Sequence, residues 1–300
     1  MTVLWFGGGQ DSTDILYRLI HNQAFRQRYA PERLVVIMSD TGNEFDFTYR
    51  HVNQVHSLCL THNIEFYLIE PWMGYHSMAW QSLTGQYVRN HNIQGSAFAK
   101  TCTDNLKIGP NYRFLADYIR ELYGFTAKGN RVFYEYTATF GPLKSLIGFA
   151  KGEESRCGQK QQLDLFPDLL TDIRPKWMRH CIEHVYPLIE LRVDRAGCQS
   201  SIQSMGYQVP MPSNCKLCPF AAPQEILFLY RFYPADWQEW VQHEANKITK
   251  NSHKPRNLGV KGEKLLPQVL AEAQAKYGHL TDEQLWNYRM SHGHNVKSRL

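Results

Sequence analysis

Residues 2–40 read as strand, glycine turn, helix and strand, and no other stretch narrows the choice of fold as much. The apolar run Thr2–Phe6 leads into Gly7, Gly8 and Gly9, and then into Gln10, Asp11, Ser12 and Thr13 at the head of a segment that gathers Ile15, Leu16, Leu19 and Ile20 on one side. A second apolar run, "RLVVIMS" over 33–39, ends at Asp40, Thr41 and Gly42. Two strands joined through a helix pair in parallel, and parallel strands need helices to cover them, so the class is α/β. A helical segment over 47–63 and the strand "IEFYLIE" continue the alternation to about residue 70. The expected core is a parallel, doubly wound, Rossmann-like sheet.

A turn without side chains lets backbone N–H groups close around an anion, and the helix that follows adds the partial positive charge of its N-terminus. The turn is neither a Walker A loop nor a G-x-G-x-x-G dinucleotide loop. Asp11 and Ser12 fall where a helix N-cap belongs, so two readings stand: they cap the helix, or Ser12 and Thr13 turn their hydroxyls to phosphate oxygens.

Beyond residue 70 the texture is mixed. Residues 71–110 are aromatic and irregular, 111–124 read as a helix, "VFYEYTAT" (132–139) as a strand, and "LIGFAKGEESR" (146–156) as a strand running into a polar loop. From Pro187 turn residues and cysteines crowd together, helical periodicity returns at Pro223 with a break at Pro234, and the last forty residues are polar and helical. The expected division is an α/β nucleotide domain over 1–186, a Cys-rich segment over 187–245 and a basic helical extension over 246–300. No apolar run approaches the roughly 18 residues that cross a bilayer, and "MTVLWF" is too short for a signal peptide, so the expected setting is the cytoplasm and no membrane.

In a reducing compartment the seven cysteines point to metal or catalysis rather than disulfides. Cys215 and Cys218 form a C-x-x-C with Cys198 seventeen positions upstream, a group suited to zinc or an iron–sulfur cluster if a fourth thiolate joins, and otherwise a plain set of thiols. Cys59, in an apolar helix, is expected only to pack. From Lys247 onward ten Lys/Arg face four Asp/Glu in a chain of formal charge +5, which suits either a phosphate-rich partner or a solvated helical face.

"GGGQDS" resembles the S-G-G-x-D-S pyrophosphate loop of the adenine-nucleotide alpha-hydrolase (PP-loop) superfamily, which holds adenylate-forming ATP pyrophosphatases and phosphoadenylylsulfate (PAPS) reductases; Gly7 stands where that family usually has Ser. "MSDTGNEFDFTY", "CTDNLKIGP", "IGFAKGEESR" and "YPLIELRVDRAGC" followed by "SNCKLCPF" are similar, in order, to segments of the PAPS reductase-like branch common in phages and bacterial accessory genes, and together they cover most of 3–245. The resemblance implies an adenine nucleotide alpha-hydrolase-like sheet. It implies ATP and Mg²⁺ held by Gly7, Gly8, Gly9, Gln10, Asp11, Ser12, Thr13, Asp40, Thr41, Gly42, Glu154 and Arg156, with Lys107, Asp11 and Cys102 in the chemistry. Glu153, Glu154 and Arg156 follow an apolar strand as groups that manage metal and phosphate charge would, with an exposed charged loop as the alternative; a solvated lysine is the alternative for Lys107, and Arg195 is a candidate for an anionic substrate.

It also implies a four-iron cluster, with zinc as the alternative, on Cys102, Cys198, Cys215 and Cys218; Cys157 and then Cys181 follow Cys102 as candidates for the fourth ligand, and Cys102 is otherwise a free persulfide carrier. The implied activity is cleavage of ATP to AMP and pyrophosphate to adenylate a substrate, coupled to thiolation of a nucleic acid, tRNA or DNA. A sulfur donor such as a cysteine desulfurase and a homo-oligomeric state go with it. One rival is a sulfonucleotide reductase, although no cysteine follows Cys218 to act as its C-terminal nucleophile. The other is a nucleotide-binding module of a phage or defence system that does not turn ATP over.

Overall fold

In a computed structural model of the chain the expected strands form as β1 (Thr2–Trp5), β2 (Leu34–Ser39), β3 (Glu65–Ile69) and β4 (Leu143–Ile147), joined by β7 (Ile182–Val185), which the sequence did not signal; β5 (Gln159–Gln161) and β6 (Leu170–Asp172) make a separate antiparallel ribbon. The structure describes residues 1–98, 100–157, 159–161, 170–172 and 174–291. All six residues of β2 are buried, as its unbroken apolar run requires of a strand covered on both faces. The five strands make an all-parallel sheet in the order β3-β2-β1-β4-β7, with Thr2 opposite both Leu34 and Lys144, and Leu143 opposite Ile182. The fold is therefore α/β, a Rossmann-like doubly wound sheet with helices at the C-terminus.

The strand order decides where a ligand fits. The chain runs outward from β1 to β3 and then returns to the far side of β1 at β4, so the topology reverses between β1 and β4. A crevice opens at such a switch, outside the carboxyl ends of the strands. Helix α1 (Gln10–His21) follows β1 and buries Ile15, Leu16 and Leu19 as its periodicity predicts; Arg18 Nε pairs with Asp14 Oδ1 at 2.9 Å one turn away.

One expectation is corrected. "VFYEYTAT" is not a strand but part of a helix, Arg131–Phe140, which buries Val132, Phe133 and Tyr136. Those positions share one face at helical spacing, and the packing they gain, Phe133 stacked on Trp177 at 5.1 Å, outweighs the strand preference of aromatic and β-branched residues. Gly141, at φ 81°, ends the helix and turns the chain into β4. The irregular stretch 71–110 also holds a helix, Leu83–Asn90, whose N-cap Ser82 accepts from Gly85 N–H at 2.9 Å.

Tertiary contacts divide the chain into two units, each assembled from separate stretches: Met1–Met38, Arg50–Ile69 and Asn111–Pro210 in the first, Ser39–Tyr49, Glu70–Pro110 and Met211–Leu300 in the second. The Cys-rich segment is shared between them, 187–210 in the first and 211–245 in the second. The second unit has its own core, built from Tyr87, Phe228, Trp240, Leu266 and Leu285 on helices Leu83–Asn90, Pro223–Phe232, Pro234–Lys250, Leu266–Tyr277 and Asp282–Ser291. Among the described residues no helix is long and apolar enough to cross a membrane.

Candidate functional site

In the first unit the glycine turn follows directly on β1. Phe6 N–H still bonds Ile37 O at 2.9 Å, and Gly8 then takes a left-handed φ of 69° that favours glycine. Helix α1 begins at Gln10, its N-cap is Gly9, and no side chain caps it. The capping role expected of Asp11 or Ser12 is thus corrected: both lie inside the first turn. Ser12 Oγ instead accepts from Gly7 N–H at 3.1 Å and donates to Gly9 O at 3.2 Å, while Thr13 Oγ1 donates to Gly9 O at 2.8 Å and meets His51 Nε2 at 2.8 Å. An N-terminus with a glycine cap and no capping side chain keeps its partial positive charge for an anion.

The far wall of this turn comes from Gly148, the residue after β4. A Cβ there would stand 2.9 Å from Ser12 N and 3.1 Å from Ser12 Cα, so only glycine lets the end of β4 approach the first turn of α1. The sequence reading did not single out Gly148. Its signal was a glycine placed directly after an apolar strand, as Gly7 follows the first.

Charge gathers at the same place. Arg195 Nη2 donates to Asp11 Oδ2 at 3.0 Å and lies 3.8 Å from Glu153 Oε1, which also takes Arg156 Nη1 at 2.8 Å. Burial raises the Asp11 carboxyl above its ordinary range, against the pull of Arg195 and with a further push from Glu153. Among the described residues Asp11 Oδ1 and Arg195 Nε are both buried without a hydrogen-bond partner, a combination that a polar ligand would complete. Glu154 faces away: exposed, it accepts from Gly152 N–H at 3.0 Å, and Glu153 takes the inward position instead. Gln10 bridges Gln199 Nε2, at 3.0 Å, to Pro210 O, at 2.9 Å.

The second unit gathers the other candidates. Asp40 Oδ1 accepts from Gly42 N–H and Tyr49 Oη, both at 2.8 Å, which braces the turn after β2. Gly42 has φ 66°, and a Cβ there would come within 2.5 Å of Ser82 Cβ. Lys216 N–H bonds Asn43 O at 2.7 Å and Leu217 N–H bonds Asn43 Oδ1 at 2.9 Å, so the C-x-x-C turn is tied to this loop. Glu44, fully buried and not anticipated from sequence, is the hub: Oε1 accepts from Thr41 Oγ1 at 3.1 Å and from Lys107 Nζ at 3.3 Å, with Cys215 Sγ 3.8 Å away. Burial pulls the Lys107 ammonium down, and Glu44 and Cys215 together more than offset it, so its pKa is raised. Burial and then Glu44 push the Cys215 thiol up.

Of the candidates for a fourth thiolate, Cys102 shares this unit with Cys215 and Cys218, and Cys218 acts electrostatically on each of the other two thiols. Cys198, Cys157 and Cys181 belong to the first unit, where the buried Cys198 thiol bonds Asp14. Cys59 is fully buried in its helix, its thiol pushed up to about 12 by burial, as a packing residue. Among the described residues no three His, Cys, Asp or Glu groups converge as metal ligands do. The donor set in the second unit therefore suits a three-thiol site in its chemistry, without the convergence of a formed one.

Part of the basic tail is structural. Arg289, 1% exposed, donates to Pro212 O and Asn214 Oδ1 and lies over Phe45, and Lys247 donates to Asn257 Oδ1 at 2.8 Å. Lys297 and Arg299 lie outside the described residues. No family model matches the chain, and no curated protein matches it.

Proposed function

We propose that the chain is a PP-loop enzyme of the PAPS reductase-like branch that cleaves ATP to AMP and pyrophosphate to adenylate a substrate, coupled to sulfur transfer onto nucleic acid. The observation that carries this reading is the turn Gly7–Gly9 at the sheet's switch point, leading into a helix N-terminus that no side chain caps. In the reaction a substrate oxygen attacks the α-phosphorus while the bond to the β-phosphate oxygen breaks, and charge develops on the departing pyrophosphate. Donors fixed in advance, the amides at the start of α1 with Arg195 and Arg156, stabilise that charge without reorganising. Mg²⁺, when bound, neutralises phosphate charge at the same place, and the unpartnered Asp11 Oδ1 is the carboxylate oxygen suited to it.

A sulfur nucleophile then displaces AMP as the carbon–sulfur bond forms. The thiols of Cys102, Cys215 and Cys218 are the groups for that stage, as holders of a cluster or zinc or as carriers of sulfur, with Lys107 and Glu44 balancing their charge. The test is incubation with ATP and Mg²⁺ across tRNA and DNA acceptors. Equal AMP and pyrophosphate, with a sulfur mass shift in the acceptor's nucleosides, supports the proposal. No product assigns the chain to nucleotide-binding modules instead, ADP excludes adenylate chemistry, and sulfite released from PAPS in the presence of thioredoxin assigns it to the reductases.

A further inference from the structure

The second unit contains a pocket of ≈ 750 Å³ that none of the chemistry above uses. Its lining includes Gln86, Gln94, Phe98, Lys247, Lys254 and Arg256, and among the described residues no Asp or Glu. The size suits a small organic ligand, and an acid-free lining with three cations selects an anionic one. Lys254 and Arg256 are exposed, and among the described residues neither forms an ion pair. Burial and then the neighbouring Lys254 lower the Lys247 pKa, and Glu244 raises it.

Two further features point to a planar, hydrogen-bonding ligand. Phe98 is 47% exposed, and it is held in place: Ser96 N–H bonds Val260 O at 2.8 Å, and a Cβ on Gly95 would meet the Phe98 ring at 3.3 Å, so the ring lies against bare backbone. Gln86 is 6% exposed, yet among the described residues its Oε1 is buried with no partner. A buried amide acceptor left unmatched in a polar pocket is a place for a ligand donor.

We propose that this pocket takes one nucleotide of a single-stranded nucleic acid, with its base stacked on Phe98 and read by Gln86, and its phosphates at Lys254 and Arg256. A stacked duplex cannot offer a base to a recess of this kind, whereas a single strand or an extruded base can. The inference rests on the reading above and deepens it, because it makes this the acceptor's pocket. Thr101, which donates to Gln94 Oε1 at 3.1 Å, lines it and is followed by Cys102.

The experiment is fluorescence anisotropy of the full chain with a labelled mixed-sequence single strand, without ATP, over a series of salt concentrations. Lys254→Glu/Arg256→Glu is expected to weaken binding about tenfold or more and to flatten its salt dependence, and Phe98→Ala to weaken it about tenfold with the salt slope unchanged. The exposed double variant keeps the test decisive if Phe98→Ala folds poorly. Unchanged affinity in the double variant overturns the proposal, as does equal competition by duplex DNA or by poly-glutamate. ATP cleavage assayed on the same preparations separates the two readings: AMP and pyrophosphate with no effect of the pocket variants removes only the pocket, and strand binding at the pocket with no AMP removes only the adenylation.

Discussion

Arg195 Nη2 lies 3.0 Å from Asp11 Oδ2, joining a helix 184 residues downstream to the first turn after the glycine loop. The two side chains are 20% and 11% exposed, so the pair is only weakly screened. Arg195→Gln leaves the Asp11 carboxylate largely buried without its cation, a loss expected to cost about 2–3 kcal/mol in urea unfolding. Adding Asp11→Asn to that variant is expected to recover a large part of the loss, because the stranded charge is gone. ATP affinity measured by calorimetry should fall by about tenfold in Arg195→Gln, as expected for removal of a charge-assisted hydrogen bond.

Gly148→Ala and Gly7→Ser separate packing from ligand chemistry. The new Cβ at 148 meets backbone atoms of Ser12 at 2.9 and 3.1 Å, which cannot swing aside, and the expected loss is about 1–3 kcal/mol with ATP binding impaired. At position 7 the nearest atom to a Cβ is Ser12 Oγ at 3.9 Å, an ordinary contact. Gly7→Ser should therefore melt at the wild-type temperature while binding pyrophosphate more tightly, since it adds a hydroxyl to the turn. A fall in melting temperature for Gly7→Ser and none for Gly148→Ala would reverse the assignment of the two glycines.

Much of the sheet was legible because its signals are local. Apolar runs such as Leu34–Ser39 and the glycines that end β1 each announce themselves within a few residues. The helix Arg131–Phe140 was hidden because Val132, Phe133 and Tyr136 carry strand preference, and only their helical spacing shows what they pack against. The site was legible in part. Asp11, Cys102 and Glu153 lie in recognisable segments, but Glu44 matters through burial and through a partner far along the chain, Cys215, and the approach of Arg195 to Glu153 is likewise something spacing cannot show. The two units escaped a linear reading for the same reason, since each is assembled from separated stretches.

Lys107 and Glu44 make the second electrostatic test. Glu44 has no exposed side-chain surface and Lys107 is its cation at 3.3 Å, so Lys107→Met leaves a buried carboxylate beside the Cys215 thiol. The expected cost is about 3 kcal/mol, with Lys107→Arg losing less than half of that because the charge remains. Lys107→Met with Glu44→Gln should be more stable than Lys107→Met alone. Urea midpoints at constant slope provide the measurement, and equal midpoints for the two variants would show that the loss in Lys107→Met does not come from stranding Glu44.

His51 sets a pH dependence whose sign follows from its burial. It is 7% exposed, lies 6.1 Å from Phe6 ring to ring, and meets Thr13 Oγ1, and burial lowers its pKa from 6.5 to about 4. Between those values the unfolded chain takes up a proton that the folded chain refuses, so stability falls as the pH drops through 6.5 and the loss levels off near 4. By about pH 5 the loss is about 2 kcal/mol, before most carboxylates begin to titrate. His51→Gln retains an amide for Thr13 and has nothing to titrate, so its urea stability should be flatter than wild type between about pH 7 and pH 5 by that amount. The comparison isolates one residue, because every other histidine is common to both proteins. Parallel pH profiles would mean that His51 takes up its proton in the folded chain as readily as in the unfolded one, and that its burial beside Thr13 does not resist the charge.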